Sequence, residues 1–286
     1  MTRRCTQRQH LLRPDPRVEQ IYLYCLGEAV QRFQIALHAY VAMSNHQHIL
    51  VRDNLGNFPA FLAHFHKMVA KALNAFWGRW ENLWSTEQPS AVYLVDAQDR
   101  FDKLIYVLTN PVNADLVERV ADWPGACSFS QQLGLRPRVV KRPRGFFRED
   151  GKMPEEVTLQ IERIDGFEHL SEREWRDKVS TAVESIESSA KKARAREGRR
   201  VLGRKGVLGI EPTSAPRTIA PRRRLRPLIA CKNLLRRVEE LLAIKTFRVA
   251  YRTALARWIA GERQVFFPDG TYRMRAFGVR TRLTEA

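Results

Sequence analysis

The feature that most constrains this chain is a hairpin signature near its start. Residues 34–42, Gln34-Ile35-Ala36-Leu37-His38-Ala39-Tyr40-Val41-Ala42, read as a nearly continuous apolar strand. Ser44-Asn45 is turn-like, and His46 to Val51 reads as the return strand. Helical periodicity flanks the hairpin on both sides. Asp15-Pro16 supplies an N-cap and a first helical residue, followed by Val18, Ile21, Cys25 and Val30 or Phe33 at roughly helical spacing. After the hairpin, Asn57-Phe58-Pro59 opens a long helix whose stripe runs Phe58, Phe61, Leu62, Phe65, Val69, Ala72, Leu73, Phe76, Trp77 and Trp80.

Residues 4–11 read as a first strand and Ala91 to Val95 as a short fourth one. Asp99 then caps a helix with the stripe Phe101, Leu104, Ile105 and Leu108, which Asn110-Pro111 should end. The order is strand, helix, strand, strand, helix, strand, helix. It predicts an α+β fold: a ferredoxin-like (RRM-like) sandwich with a four-stranded antiparallel sheet and its helices on one face. The other face is then open for function.

The C-terminal half reads differently. Residues 136–160 are loop-rich, Ser171 caps an amphipathic helix to about 197, and 198–227 suggest a flexible basic linker. Residues 229–262 suggest two helices broken near Lys245-Thr246. The expected division is 1–135, 136–227 and 228–286, the last a basic, mainly helical extension. Charge follows this division. Lys and Arg number 49 against 31 Asp and Glu, a net +18, yet residues 1–135 carry 13 basic and 12 acidic side chains. Residues 136–286 hold the other 36 and 19, and 191–226 alone holds 13 and 2. A polyanion, nucleic acid above all, fits such a surplus. No apolar run approaches a membrane span, and the first residues lack the apolar core of a signal peptide. Cys5, Cys25, Cys127 and Cys231 are too dispersed for a disulfide framework or a cysteine zinc site, which suits a reducing cytoplasm.

Two histidines two apart on a strand project from one face, so His46 and His48 can share a divalent cation. His64 and His66 have the same spacing but fall in the helical stretch, about 200° apart, and read as ordinary surface or edge residues. Tyr106 lies about 140° from Phe101 on the helical wheel, off the buried stripe. Asn110 is one turn later on its side and Asp102 one turn earlier. The plainer alternative makes Tyr106 a core-edge residue and Asn110 a cap. The chemical alternative is specific: a cation held by His46, His48 and the Asn110 carboxamide polarises a phosphodiester for attack by the Tyr106 oxygen. Attack leaves a phosphotyrosine and a free 3′ hydroxyl, and rejoining needs no ATP.

These residues carry a resemblance. His38 to Val51 resembles the metal-binding segment of the HUH single-tyrosine transposases, in particular the REP-associated tyrosine transposases and their insertion-sequence relatives. Tyr106-Val107-Leu108-Thr109-Asn110-Pro111-Val112 is similar to their nucleophile helix, Arg4 to Gln9 to their first strand, and Trp123-Pro124 with Ser128 to the segment after that helix. The resemblance covers about residues 3–133. It implies Tyr106 as nucleophile, His46, His48 and Asn110 as ligands of Mg²⁺ or Mn²⁺, single-stranded or hairpin DNA as substrate, and a 5′-phosphotyrosine intermediate. Two positions depart from the family pattern. Ser44 replaces a proline, and Gln47 replaces the apolar residue between the histidines, where it needs a hydrogen-bond partner on the opposite face.

Candidate DNA contacts are Arg4 and Arg8 in the first strand, Lys191 and Lys192, Arg199-Arg200, the run Arg222, Arg223 and Arg224, and Arg273 and Arg275. The last two lie with Arg263, Arg280 and Arg282 among Phe266, Phe267, Tyr272 and Phe277, a mixture that suits splayed bases or equally the core of a small terminal module. The expected protein is a cytoplasmic, nucleoid-associated monomer or homodimer without a membrane partner. One alternative is an inactive relative that only binds nucleic acid. A water-using metal hydrolase would need more ligands than His46 and His48 offer.

Overall fold

The computed structural model describes residues 1–134, 136–219 and 227–281. The basic run Arg222 to Arg224 and Arg282 lie outside the described residues. In chain order the elements are β1 (Thr2–Arg4), α1 (Pro16–Phe33), β2 (Ile35–Ala42), β3 (His46–Asp53), α2 (Phe58–Phe76), β4 (Tyr93–Leu94), α3 (Ala97–Leu108) and α4 (Asn110–Asn113). They continue with α5 (Phe129–Gly134), β5 (Arg138–Lys141), β6 (Glu156–Leu159), α6 (Glu172–Arg196), α7 (Gly203–Leu208), β7 (Ile229–Ala230), α8 (Leu234–Ile259), β8 (Phe266–Phe267) and β9 (Arg280–Thr281). The architecture is mixed helix and strand. Among the described residues no helix is long and apolar enough to cross a membrane.

The hairpin forms as its sequence requires. β2 and β3 pair antiparallel with Val41 opposite His48 and Ala42 opposite Gln47. β1 adds to the free side of β3, placing Thr2 opposite His48 and Arg4 opposite His46. The first strand thus lies earlier than the expected residues 4–11 and shares only Arg4 with them, because Thr6–Arg8 turns into a 3₁₀ segment in which Gln7 and Arg8 have positive φ. The sheet has three strands in the order β1-β3-β2, not four. β4 pairs in parallel with β7, from the far C-terminal half, while residues before it meet β1 and its continuation only through isolated bridges, Thr2 with Ser90 and Cys5 with Trp84.

Both faces of the sheet are covered. Gln47 and Ile49 face α1 and α2, where Ile21, Leu26, Phe61, Phe65 and Val69 form one buried cluster with Ile49. Leu50, Ala39 and Val41 face the other way, against Leu104, Ile105 and Leu108 of α3 and Trp175, Val179 and Val183 of α6. The expectation of one open face fails here: the stripe on α3 is buried against that face. Val157 and Leu159 of β6 belong to the first cluster and Trp175 of α6 to the second, so residues on both sides of 135 build the same cores.

Local signals read well. Asp15 caps α1, accepting from the Arg17 N–H at 2.8 Å. Ser171 and Glu174 close a capping box on α6. Asp96, not Asp99, occupies the cap position of α3, and Asp99 lies in its first turn. α8 runs unbroken through Lys245-Thr246, since neither residue removes a backbone donor or frees φ. Part of the expected linker is held: Arg8 donates to Thr218 O at 2.6 Å, Gln9 to Thr213 O at 2.9 Å, and Arg13 to Ile210 O at 3.1 Å.

Candidate active site

The alternation of β3 puts His46 and His48 on the α3 side of the sheet, with ring centroids 5.0 Å apart. α3 and α4 bring the other partners. The Tyr106 ring lies 5.3 Å from the His48 ring at 85°, and the Asn110 Nδ2 lies 3.3 Å from His48 Nε2. Tyr106 is 42% exposed, whereas His48 and Asn110 are each 7% exposed. The phenol is therefore neither sealed among aliphatic groups nor remote from the imidazoles.

Hydrogen bonding fixes the imidazoles. The Asn110 amide nitrogen only donates, so His48 Nε2 accepts and its Nδ1–H donates to Thr2 Oγ1 at 2.7 Å. Asn45 Oδ1 only accepts, so His46 Nδ1–H donates to it at 2.7 Å. Each ring thereby keeps its Nε2 lone pair free of a proton. Burial pushes the His46 imidazolium down to about 4, helped by the Arg4 guanidinium opposite it. Burial pushes His48 further, to about 2, with His46, Lys103 and Arg4 adding to the effect. Both rings are neutral at physiological pH, the state that ligates metals. Two neutral imidazoles with their Nδ1–H groups anchored, beside a carboxamide, are a donor set suited to a divalent cation.

Sequence reasoning missed Thr2, Asn45 and Lys103. Thr2 had a readable signal, because a first strand paired to β3 must set some residue opposite His48. The Lys103 ammonium lies 4.3 Å from the Tyr106 ring centroid, one turn before it on α3. His66 is also different from expectation. It is 4% exposed and its ring faces Gln47 at 2.9 Å, so it is a buried structural residue, while His64 pairs with Glu28 at 2.6 Å. A separate group of Asp96, Asp99 and Cys231 lies where β7 meets the start of α3, and there Cys231 donates to Asp96 at 3.1 Å. Arg236 and Lys232 form ion pairs with Asp96 and Asp102 at the same junction.

The proposed DNA contacts fall in different settings. Arg4 is exposed beside His46, and Lys191 and Lys192 are exposed on α6. Arg8 is bonded to Thr218, and Arg199 is paired with Asp115 and Glu197. Arg273 is exposed, whereas Arg275 donates to Thr271 O at 2.9 Å and to Leu55 O at 3.3 Å. Phe267 is buried in a small core with Ala254, Val265 and Met274, while Phe266 and Phe277 are exposed.

No family model matches the chain, and no curated protein does. Among solved structures, the chain is similar to a REP-associated tyrosine transposase bound to a REP hairpin, at 19% identity and a TM-score of 0.38, over 57% of this chain and 89% of that one. A likeness at that score carries no argument about fold or function.

Proposed function

We propose that the chain is a metal-dependent, single-tyrosine HUH endonuclease and strand transferase of the transposase type, acting on single-stranded or hairpin DNA. The observation that carries this reading is the meeting of the Tyr106 phenol with the His48–Asn110 pair: a half-exposed nucleophile stands over buried, neutral ligand groups. His46, His48 and Asn110 would hold Mg²⁺ or Mn²⁺. Such a cation, when bound, polarises the scissile phosphate and neutralises its charge.

The chain's own groups do the rest. Thr2 and Asn45 hold the imidazoles in one tautomer and orientation. Lys103 sets a positive charge beside the phenol, where a phosphate must approach. The Tyr106 oxygen bonds to phosphorus and the P–O3′ bond breaks. The phenol proton passes to solvent, and the departing 3′ oxygen takes one up. The product is a 5′-phosphotyrosine, and reversal with a new 3′ hydroxyl joins strands. On this reading the three-stranded sheet is the centre of a ferredoxin-like unit, residues 228–286 form a DNA-binding module, and the protein works at the nucleoid in the cytoplasm.

The test is incubation with single-stranded DNA from the sequence flanking the gene, plus Mn²⁺, followed by denaturing electrophoresis. A covalent protein–DNA band is expected, and it should vanish in Tyr106→Phe while DNA binding persists. Adduct formation by Tyr106→Phe overturns the nucleophile. A folded protein that binds every hairpin and nicks none points to the inactive nucleic-acid-binding relative.

A further inference from the structure

A cavity of about 790 Å³ opens beside the His48–Tyr106 pair. β3 from His48 to Asp53 and α3 from Arg100 to Val107 form two walls, and residues 90–94 with Leu228 form a third. The third wall is thus completed by the C-terminal half, since the Tyr93 N–H donates to Leu228 O at 2.9 Å.

At the mouth, Lys103 makes no ion pair among the described residues and sits on the Tyr106 ring. Tyr93, 57% exposed, adds an aromatic ring to the rim. The lining arginines, by contrast, are committed to protein partners. Arg52 pairs with Asp165, and Arg100 donates to Val95 O at 2.9 Å and to Asp165 O at 3.3 Å. Leu50 and Val107 line the interior with His38. His38 Nδ1–H donates to Glu162 O at 3.0 Å, which leaves its Nε2 as an acceptor with no partner among the described residues. A phosphate belongs beside the unpaired Lys103 and not beside the engaged arginines. A nucleobase fits both the apolar walls and the acceptor.

We infer that this cavity receives one unpaired nucleobase adjoining the scissile phosphate, with preference for a base carrying an exocyclic amino group. The amino group donates to His38 Nε2, the ring lies between Leu50 and Val107, and the base's own phosphate stays at the mouth beside Lys103. The inference rests on the proposed phosphodiester chemistry for its placement and on the cavity for its specificity.

The test uses the Tyr106→Phe protein without added metal, so it does not depend on catalysis. The probe is an oligo-dT strand of roughly a dozen nucleotides carrying a single 2-aminopurine. Binding should change the 2-aminopurine emission, and this strand should bind about tenfold more tightly than oligo-dT alone. Val92→Trp, which fills the cavity from its exposed third wall, should abolish both effects while binding to oligo-dT persists. An unchanged emission response in Val92→Trp, or equal affinity for the two strands, overturns the inference. A second arm uses wild-type protein and hairpin DNA made abasic at each position next to the cleavage site. Adduct formation should fall about tenfold at one position only. Uniform adduct formation overturns the cavity's role while leaving the nuclease reading intact. An emission response with no adduct on any hairpin does the reverse.

Discussion

The Gln47 side chain reaches the His66 imidazole at 2.9 Å, on the face of β3 opposite His46 and His48. Both residues are buried. Arg3, opposite Gln47 in the sheet, approaches His66 Nδ1 at 3.3 Å. A guanidinium only donates, so Nδ1 accepts and Nε2 carries the ring proton. The carboxamide orientation that suits this ring presents Oε1 to Nε2–H, which also gives the buried Oε1 a partner. Removing one member strands the other, at about 1–3 kcal/mol. Gln47→Leu should therefore lower stability by that order, and adding His66→Phe should cost much less than the two single changes summed. Urea denaturation of the four proteins measures the coupling, and strict additivity would refute it.

His66 also predicts a pH dependence. Burial pushes its imidazolium down to about 3, with the Arg3 guanidinium acting in the same direction. In the unfolded chain it titrates near the ordinary value of about 6.5. Below that pH the unfolded state takes up a proton that the folded state refuses. The stability this neutral ring contributes is thus fully present above about pH 6.5 and declines toward about pH 3, by up to about 1.4 kcal/mol per pH unit. The slope of unfolding free energy against pH between about 6 and 4 should be shallower in His66→Phe than in the parent by up to one proton. Equal slopes would show that His66 is protonated in the fold.

The hairpin, the Asp15 cap and the Ser171 capping box were readable because turn and cap chemistry is local. The partners of the strand near 91–95 were not, because β7 lies well over a hundred residues later and no local pattern encodes parallel pairing across that distance. The stripe on α3 announced a buried face but not which side of the sheet would bury it. His66 did carry a signal: it falls three residues before Val69, on the same side of α2, yet a polar residue there reads equally as an edge position. Spacing and resemblance single out His46, His48, Tyr106 and Asn110, which the structure brings together. Their anchors Thr2 and Asn45 depend on pairing and on turn geometry that periodicity does not report.

Packing around α1 gives a further expectation. A Cβ at Gly27 would lie 2.8 Å from Val157 Cγ2. Helix propensity favours alanine over glycine by about 1 kcal/mol. Overpacking of a filled core costs about 1–3 kcal/mol and should win here, because Val157 is itself only 1% exposed. Gly27→Ala should lower the denaturation midpoint. Val157→Ala should lower it through a cavity, and the double variant should be more stable than the sum of the two changes implies. A stabilised Gly27→Ala protein would show that β6 yields freely at this contact.

Thr2 gives the sharpest functional expectation. Its hydroxyl accepts from His48 Nδ1–H at 2.7 Å and makes no contribution to the proposed ligand set itself. Thr2→Val keeps the shape of the side chain and removes the acceptor, so the His48 ring loses its anchor. Losses of such outer partners weaken metal binding about tenfold to a hundredfold. Adduct formation by Thr2→Val should therefore need about ten times more Mn²⁺ for half-maximal rate and should approach the parental rate at saturating metal. Tyr106→Phe should stay inactive at any concentration, which separates a positioning residue from a nucleophile. The readout is the Mn²⁺ dependence of the covalent band, paired with direct titration of Mn²⁺ in the absence of DNA. A Thr2→Val protein with an unshifted Mn²⁺ midpoint in both measurements would show that β1 does not orient His48.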